Sequence, residues 1–362
     1  MRGLLRTVHR WCGLVVAALF LVQAVSGVLW ANQERLAPVF HPELRLAAPA
    51  SPASLDQMLA SIHAWNPRGK LDRIALPVYG PGAAAVRVDL PGQGTQVLQL
   101  DPGAGRVLSS GPLWAYPEQF AERLHGSLFL GETGRWLLFA EGLVLMLMAV
   151  SGLIVWWPGL ARLGRALTVR PRGPIRRLVR ELHLAPGALA AGFLLVTGLT
   201  GALMAAEPLT AALVSRFAPV GADVRPALAP VPPGAAPRTA EQALDALRAR
   251  YPVGRLVKVR TLGPGDRMVL GVFLDRRPLN PRAYSMVGLD RMTGELTVFV
   301  DAARNPPGDV AIAWLTPVHE GAIFGPLRPV AATALGLTLI LMVVTGLSNW
   351  SLRRRLTARP AR

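Results

Sequence analysis

Four long apolar segments constrain this 362-residue chain more than any other feature. Each supplies roughly 20 mostly apolar residues, enough for an α-helix to cross a hydrocarbon layer of about 30 Å. Hydrophobic residues make up 51% of the chain. The segments predict transmembrane helices at about 12–31, 135–157, 185–206 and 328–350. The predicted fold is therefore an α-helical membrane protein that contacts the lipid bilayer directly.

The net charge of +17 is distributed in a way that predicts membrane topology rather than nucleic-acid binding. Fifteen arginines and one acid, Glu181, occupy the N-terminal stretch, the basic loop at 158–184 and the tail at 351–362. Short arginine-rich segments remain in the cytoplasm, so both termini are expected there. The segments 32–134 and 207–327 carry most of the Asp and Glu and would lie outside. We expect a multi-pass protein of the bacterial inner membrane, with no nucleic-acid partner.

The first segment has a second interpretation, because a basic start and small residues near Ala31 also occur in signal peptides. Its apolar run is long for a signal peptide, and it matches an internal helix. We therefore expect residues 1–31 to be retained as the first transmembrane helix. The single cysteine, Cys12, lies in this segment and can form no intramolecular disulfide. The external segments must then be held by packing alone.

Repeated spacings indicate a tandem repeat of span, external segment and span. A separation of 18 residues between a histidine and a glycine occurs twice, and so does a separation of 27 residues. The four pairs are His9–Gly27, His183–Gly201, His125–Gly152 and His319–Gly346. In every pair a serine or threonine precedes the glycine. Both halves begin on the cytoplasmic side, so the repeat is parallel, with a pseudo-twofold axis along the membrane normal.

The two external segments are predicted to be small α+β domains of similar design. Residues 54–65 and 238–251 show an amphipathic helical pattern with a capping residue in front. Strand-like runs follow each helix, with glycine turns in DPGAGRVL and DRMTGELT. Each domain should therefore contain a helix and a small antiparallel sheet. A Pro/Ala-rich linker at 218–238 has no counterpart in the first half.

The four repeat-related histidines divide into two levels. His9 and His183 begin the first and third spans and would lie at the cytoplasmic edge. His125 and His319 precede the second and fourth spans and would lie at the outer edge. Each level then holds one histidine from each half, and two opposed imidazoles are what axial ligation of a haem iron requires. Zinc would need further ligands that the sequence does not supply, whereas copper stays open.

Residues beside these histidines add detail to the prediction. Arg6 and Arg180 each lie three residues before a cytoplasmic histidine, on the same helix face. Either arginine could pair with a haem propionate, although the positive-inside pattern explains both as well. Helix-breaking residues follow the outer histidines and predict that these lie on short folded-back segments. They are Gly131, Gly134, Gly325 and Pro326.

Other conspicuous residues have simpler interpretations. The glycines of the repeat would either let a macrocycle approach the backbone or let helices pack closely. His41 and His63 have no repeat partners, and we interpret both as structural or surface residues. Glu141 is the one acid inside a predicted span, which makes it a functional candidate. The aligned residue of the fourth span is Leu335, so any role of Glu141 is not shared by the two halves.

The first, second and fourth spans with their flanks resemble the PepSY-associated transmembrane helix proteins. The matching stretches are RTVHRWCGLVVAALFLVQAVSGVLW, LHGSLFLGETGRWLLFAEGLVLMLMAVSGLIVWWPG and TPVHEGAIFGPLRPVAATALGLTLILMVVTG. The external segments resemble PepSY modules, including the turns before Gly105 and Gly294. The third span departs from the pattern, with LHLAPG where His-Arg-Trp is more typical.

Members of this family include iron-regulated inner-membrane proteins that are similar to siderophore-linked ferric reductases with two b-type haems. The resemblance implies that electrons pass from the inner haem to the outer haem and reduce Fe(III) in a siderophore, or another periplasmic acceptor. It does not identify the electron donor. No residue resembles a nucleophile or a positioned acid–base pair, so the chemistry of such an oxidoreductase would reside in the cofactor.

Two other functions fit parts of the sequence. A haem-free permease subunit for the iron chelate would use the spans as a path, although polar residues in the spans are few. A binding or regulatory module would use the external segments to restrain a partner such as a peptidase, with the spans as an anchor. This last function leaves the paired histidines unexplained.

Overall fold

The computed structural model describes residues 2–49, 51–78, 81–221, 228–231, 233–262 and 267–357. The predicted linker at 218–238 and the predicted tail at 351–362 therefore lie partly outside the described residues. The chain divides into two compact units. The bundle unit comprises Met1–Ala31, Ala121–Leu213 and Leu315–Arg362, and the sheet unit comprises Asn32–Phe120 and Val214–Trp314.

Helices and strands follow one another in an order that is similar in the two halves of the chain. The helices are α1 (Arg2–Ala31), α2 (Gln33–Phe40), α3 (Leu55–Trp65), α4 (Pro117–Ser127), α5 (Gly131–Trp156), α6 (Leu163–Ala166), α7 (Ile175–Ala205), α8 (Glu207–Val214), α9 (Ala240–Arg250), α10 (Pro307–Ala313), α11 (Leu315–His319) and α12 (Arg328–Thr357). The strands are β1 (Lys70–Ala75), β2 (Ala84–Leu90), β3 (Gly94–Leu100), β4 (Val107–Pro112), β5 (Arg255–Leu262), β6 (Met268–Leu274), β7 (Tyr284–Asp290) and β8 (Leu296–Val300).

Four helical segments of the described chain are long and apolar enough to cross a membrane, as the sequence predicts. They are α1, α5, α7 and the stretch Pro307–Arg354, which contains α12. Helices α1 and α7 begin ahead of their apolar segments, because arginine and leucine in the flanking residues favour helix.

The four long helices close a ring. Helix α1 packs against α5, α5 against α7, α7 against α12, and α12 against α1. Helices α1 and α7 therefore stand at opposite corners. An apolar layer fills the middle of the ring and consists of Ala17, Phe20, Leu145, Ala190, Leu194 and Val343.

Helices α5 and α7 approach closely where glycine faces glycine. A Cβ atom added to Gly142 would lie 2.6 Å from the carbonyl oxygen of Gly198 and 2.9 Å from Cβ of Ala202. A Cβ atom added to Gly198 would lie 3.0 Å from the carbonyl oxygen of Gly142. Any larger residue at these positions would push the two backbones apart, so small residues fix the distance between the helices.

The strands form one eight-stranded antiparallel sheet in the order β4-β3-β2-β1-β5-β6-β7-β8. The two predicted small antiparallel sheets are joined into one, because β1 of the first half pairs with β5 of the second. Ile74 lies opposite Val259, and Ala75 lies opposite Lys258. The physical reason is the edge of a sheet, whose unpaired N–H and C=O groups are satisfied when two four-stranded sheets join edge to edge.

Helices α3 and α9 share one apolar core with the sheet and cap each other. Asp56, in the first turn of α3, accepts a hydrogen bond of 2.8 Å from the backbone N–H of Ala240 at the start of α9. In return, Glu241 of α9 accepts a hydrogen bond from the backbone N–H of Leu55. An acid near a helix N-terminus satisfies free N–H groups and complements the helix dipole. The predicted helices and their Ser54 and Thr239 caps are confirmed.

The two predicted glycine turns are also confirmed. Gly105 has a φ of +67° and donates its N–H to the Asp101 carbonyl at 2.8 Å. Gly294 has a φ of +76° and donates to the Asp290 carbonyl at 2.7 Å. Both glycines adopt a left-handed backbone that residues with a Cβ atom rarely tolerate.

A buried polar cluster completes the second half of the sheet. The guanidinium of Arg277 donates to Asp275, and this bond holds the pKa of the Asp275 carboxyl at about 2. Burial, together with the same carboxylate, raises the pKa of the Tyr251 hydroxyl to about 12. The cluster is internally satisfied, so we interpret it as structural.

We predict that the glycine contact between α5 and α7 carries a large share of the bundle's stability. Gly142→Ala should lower the free energy of unfolding by about 1–3 kcal/mol, because the new Cβ meets backbone that cannot rotate away. Gly192→Ala is the matched control, since Gly192 lies on α7 with open space around the added atom. The control should be neutral or stabilising, and thermal unfolding of detergent-purified protein followed by helix circular dichroism would distinguish the two. Equal unfolding temperatures would contradict the prediction.

Candidate functional site: two histidine pairs

The structure brings His9 and His183 together as the inner pair. His9 lies on α1 and His183 on α7, at opposite corners of the helix ring. Their ring centres are 6.4 Å apart, and the ring planes are inclined at 83°. The pair joins one residue from each half of the chain.

His125 and His319 form the outer pair. Their ring centres are 6.2 Å apart, and the ring planes are inclined at 53°. His125 lies near the end of α4, and His319 is the last residue of α11. Both helices precede the long spans, in agreement with the folded-back segments that the sequence predicts.

Left-handed residues make these two reversals possible. After His125, Leu128 and Phe129 have φ values of 51° and 59°, and Gly131 has a φ of 57°. After His319, Gly321 and Gly325 have φ values of 70° and 56°. Positive φ is unusual for Leu and Phe, so the first reversal holds a strained backbone that the surrounding packing has to maintain.

Each imidazole is oriented by a hydroxyl from a second helix of the same half. The Nδ1 atoms lie 2.9–3.2 Å from the oxygen of a Ser or Thr side chain. The pairs are His9–Ser151 (2.9 Å), His183–Thr345 (2.9 Å), His125–Ser26 (3.2 Å) and His319–Thr200 (3.1 Å). These hydroxyls are the residues that precede the four repeat glycines.

The protons of these hydroxyls are already engaged on their own helices. Each hydroxyl donates to a backbone carbonyl about one turn earlier. The donor–acceptor pairs are Ser26–Val22 (2.7 Å), Thr200–Val196 (2.8 Å), Ser151–Met148 (3.3 Å) and Thr345–Leu341 (2.5 Å). A hydroxyl has one proton, so toward the imidazole its oxygen must accept.

The hydrogen bonds therefore assign the tautomer of all four rings. Nδ1 carries the proton, because it faces an accepting oxygen. For the outer pair, Nδ1 also lies 3.1 Å from the carbonyl oxygen of Gln23 or 3.2 Å from that of Thr197, and carbonyls only accept. Nε2 is left with its lone pair, and within the described residues it forms no hydrogen bond. This is the arrangement of a histidine that ligates a metal through Nε2 and is held through Nδ1.

The four repeat glycines make room for the imidazoles. A Cβ atom added at any of these positions would meet the Cε1 atom of a histidine. The distances are 2.9 Å for Gly27 to His125, 3.0 Å for Gly152 to His9, 2.9 Å for Gly201 to His319 and 3.4 Å for Gly346 to His183. The sequence predicted close approach of a macrocycle or of another helix, whereas the group that approaches is the histidine ring. In each Ser/Thr-Gly pair the hydroxyl binds the imidazole, and the glycine leaves the space that the ring occupies.

The separation within each pair fits a single metal ion between two rings. Metal–imidazole bonds of about 2.0 Å, with a ring centre about 1.1 Å behind each nitrogen, place two opposed ring centres about 6.2 Å apart. The observed separations are 6.4 Å and 6.2 Å. Among the described residues no three His, Cys, Asp or Glu side chains come together to hold a metal ion, and each level holds two histidines.

The two arginines predicted to pair with propionates are both exposed. Among the described residues neither Arg6 nor Arg180 forms an ion pair. Glu181, which follows Arg180, is instead bound by Arg170 at 2.8 Å and approached by Arg177 at 3.9 Å. Both guanidinium groups therefore remain available to an anionic group near the inner pair.

Three neighbours of the histidines had no role in the sequence interpretation. Trp30 lies beside His125, with ring centres 5.7 Å apart. Met148 and Met342 each fill the space above a glycine one turn from an inner histidine, at Gly13 and Gly187. The repeat spacing could have found both methionines, since each lies four residues before a repeat glycine.

The remaining two histidines lie apart from the pairs, as expected. His41 stacks on Tyr116, with ring centres 4.6 Å apart, and its Nε2 lies 3.2 Å from the carbonyl oxygen of Ala115. Its Nδ1 lies 3.3 Å from the Glu43 carboxylate. His63 is exposed on α3.

These features define a class of protein: a helical membrane protein whose bundle holds two histidine pairs, each contributed by both halves of the chain. The chain belongs to the PepSY-associated TM region family, whose model matches residues 6–353. The match therefore covers both halves. No curated protein matches the chain.

We predict that ¹⁵N-histidine NMR of the metal-free protein will show the Nδ1–H tautomer for the four paired histidines. His41 is the internal control, because its Nε2 faces a carbonyl and must carry a proton. Single His→Ala variants would assign the signals. A paired histidine with its proton on Nε2 would contradict the hydrogen-bond assignment.

Proposed function

We propose that the protein is a membrane oxidoreductase with two b-type haems that carries electrons across the bilayer. His9 and His183 would be the axial ligands of the inner haem, and His125 and His319 those of the outer haem. The observation that carries this proposal is the pair of imidazoles at each level, with ring centres 6.4 Å and 6.2 Å apart, the Nδ1 atoms bound to hydroxyls and the Nε2 atoms without a hydrogen bond among the described residues. Two axial nitrogens on opposite sides of a macrocycle are the ligand set that a haem iron takes in such a site.

The helix ring supports haem rather than a bare metal ion. The inner ligands, His9 and His183, come from α1 and α7 at opposite corners, so a flat macrocycle could lie between them in the centre of the ring. The apolar layer that contains Phe20, Leu145 and Leu194 lies between the two levels and suits a hydrophobic macrocycle. A zinc ion would take three or four protein ligands, and the described residues provide two at each level.

The bound haem would supply the one-electron chemistry, and the protein would supply binding, orientation and tuning of the potential. Ser151, Thr345, Ser26 and Thr200 would fix the imidazole planes through their hydrogen bonds to Nδ1. The same bonds increase the electron density on Nε2, which favours the ferric state. Arg6 and Arg180 would pair with propionates of the inner haem.

The finer features of the architecture belong to the same proposal. The two halves would be parallel repeats, because histidines, hydroxyls and glycines recur at equal spacings and make equivalent contacts. The two four-stranded parts of the sheet, each with its helix, would be PepSY modules on the periplasmic side of the bacterial inner membrane. Both termini would be cytoplasmic, as the arginine-rich flanks favour.

Electrons would enter at the inner haem from a cytoplasmic donor and leave from the outer haem. We propose Fe(III) in a siderophore as the acceptor, on the basis of the family resemblance. Reduction to Fe(II) would lower the affinity for iron of a chelator whose hard oxygen ligands prefer the ferric ion. The folded-back position of the outer pair, at the outer end of the spans, supports delivery to an acceptor outside the membrane.

We predict that detergent-purified protein from haem-replete cells will contain two b-type haems per chain, counted by pyridine haemochrome absorbance. Substitution of any one of the four paired histidines by Ala should remove one haem and leave the other. His63→Ala is the control and should retain both, because His63 is exposed on α3. A colourless wild-type protein would contradict the proposal and favour the haem-free permease or the regulatory module.

We also predict that Thr345→Val will weaken haem binding at the inner site by about 10–100-fold, the usual cost of losing the residue that orients a metal-bound histidine. Thr338→Val on the same helix is the control, because the Thr338 hydroxyl donates only to the Ala334 carbonyl and bonds to no histidine. Titration of haem into haem-depleted protein measures both. Equal affinities would show that the hydroxyl does not support His183.

A further inference from the structure

Glu141 is a buried acid that the proposed electron path does not use. Its residue exposure is 8%, and within the described residues its carboxyl forms no hydrogen bond or ion pair. A charged carboxylate in such a place is costly, because no cation or hydrogen-bond donor among the described residues compensates it. An ionisable side chain at this depth therefore requires a functional explanation.

The contacts of α5 place Glu141 between the apolar layer and the outer pair. Glu141 shares one helix face with Leu145 and Met148, at i+4 and i+7, and Leu145 belongs to the apolar layer in the ring. The next residue, Gly142, contacts Ala202 on α7. Ala202 follows Gly201, whose Cβ position lies 2.9 Å from the His319 ring. The backbone of α5 at Glu141 therefore lies beside the turn of α7 that contacts His319.

Few other ionisable groups share this environment. On α1 the nearest are His9 and Cys12 at the inner end, with no charged residue from there until Glu34. On α7 no charged residue lies between His183 and Glu207, and on α12 none lies between Arg328 and Arg353. On α5 itself Arg135 lies near the outer end, and its Nε is directed to the Ala205 carbonyl at 3.4 Å. Within the described residues none of these groups forms an ion pair with Glu141, and the outer level of the bundle also holds His125 and His319.

We propose that Glu141 takes up a proton when the outer haem is reduced, so that electron transfer through this protein is coupled to proton uptake. This inference rests on the proposed function. A ferric haem with two neutral imidazoles has a net positive charge on its core, and a nearby carboxylate compensates that charge in a medium of low dielectric. One electron cancels the charge on the iron, which leaves the carboxylate uncompensated. One proton then neutralises Glu141 as the acid, and reoxidation of the haem releases that proton.

The second half of the chain provides the matched comparison. The residue aligned with Glu141 is Leu335 on α12, which packs against the same apolar layer. Glu141→Gln keeps the size and polarity of the side chain and removes the ionisable group. Leu335→Gln introduces the same amide on the opposite corner and leaves Glu141 in place. Both variants should fold and bind two haems, since neither position is a ligand.

Midpoint potentials measured by spectroelectrochemistry between pH 5 and pH 9 test the proposal. The outer haem is the one that His319→Ala removes. In the wild type and in Leu335→Gln its potential should fall as pH rises, with a slope approaching a tenfold change in the reduction equilibrium per pH unit, about 59 mV for a one-electron couple. In Glu141→Gln the slope should vanish. The difference infrared spectrum of reduced minus oxidised wild type should also show a carboxylic acid carbonyl band that is absent from Glu141→Gln.

The outcomes separate this inference from the proposed function. A wild-type protein without haem overturns both. Two haems with an outer potential that does not change with pH overturn the proton coupling alone. A pH slope that persists in Glu141→Gln, or that Leu335→Gln abolishes equally, also overturns it, because another group would then be the proton acceptor.

Discussion

The hydrogen bond from a histidine Nδ1 to a hydroxyl is the interaction on which the rest of the bundle depends. A donor inside an apolar bundle costs several kcal/mol unless it finds an acceptor, and no solvent is present at membrane depth to supply one. His9 finds Ser151 on α5, and His125 finds Ser26 on α1. The bonds thus join α1 to α5 at the inner level and to α4 at the outer level. The same contacts orient the imidazoles and join the helices.

Contacts within each half orient its own imidazoles, but the facing of the two rings in a pair depends on the contact between the halves. Each ring is held by its own half, but the ring that it faces belongs to the other, with centres 6.4 Å apart at the inner level and 6.2 Å at the outer level. A group bound at either level would therefore link α1 with α7, or α4 with α11. Binding to the folded state alone adds to its stability, so the proposed haems would reinforce the contact between the two halves of the bundle.

Sequence reasoning predicted the elements that depend on local pattern and missed those that depend on partners distant in the chain. Apolar runs predicted the spans, and equal spacings predicted that His9 would face His183. The role of Ser151 was not predicted, because it lies 142 residues from His9 and no local signal distinguishes a hydroxyl that accepts from one that merely packs. The joining of β1 to β5 was missed for the same reason. Alternation of residues shows that a strand exists, but it does not identify the neighbouring strand.

The histidines of the two halves occupy equivalent repeat positions, but the residues around them differ between the halves. By the repeat spacing, Trp30 beside His125 corresponds to Met204, and Glu141 corresponds to Leu335. Two sites with the same axial ligands would have similar potentials, so a difference that drives electrons in one direction must come from polarity, charge and packing around them. Glu141 in one half, with Leu335 at the equivalent position of the other, is such a difference in charge. Repetition can therefore account for two histidine pairs in one chain, while departures from the repeat would make the proposed inner and outer sites unequal.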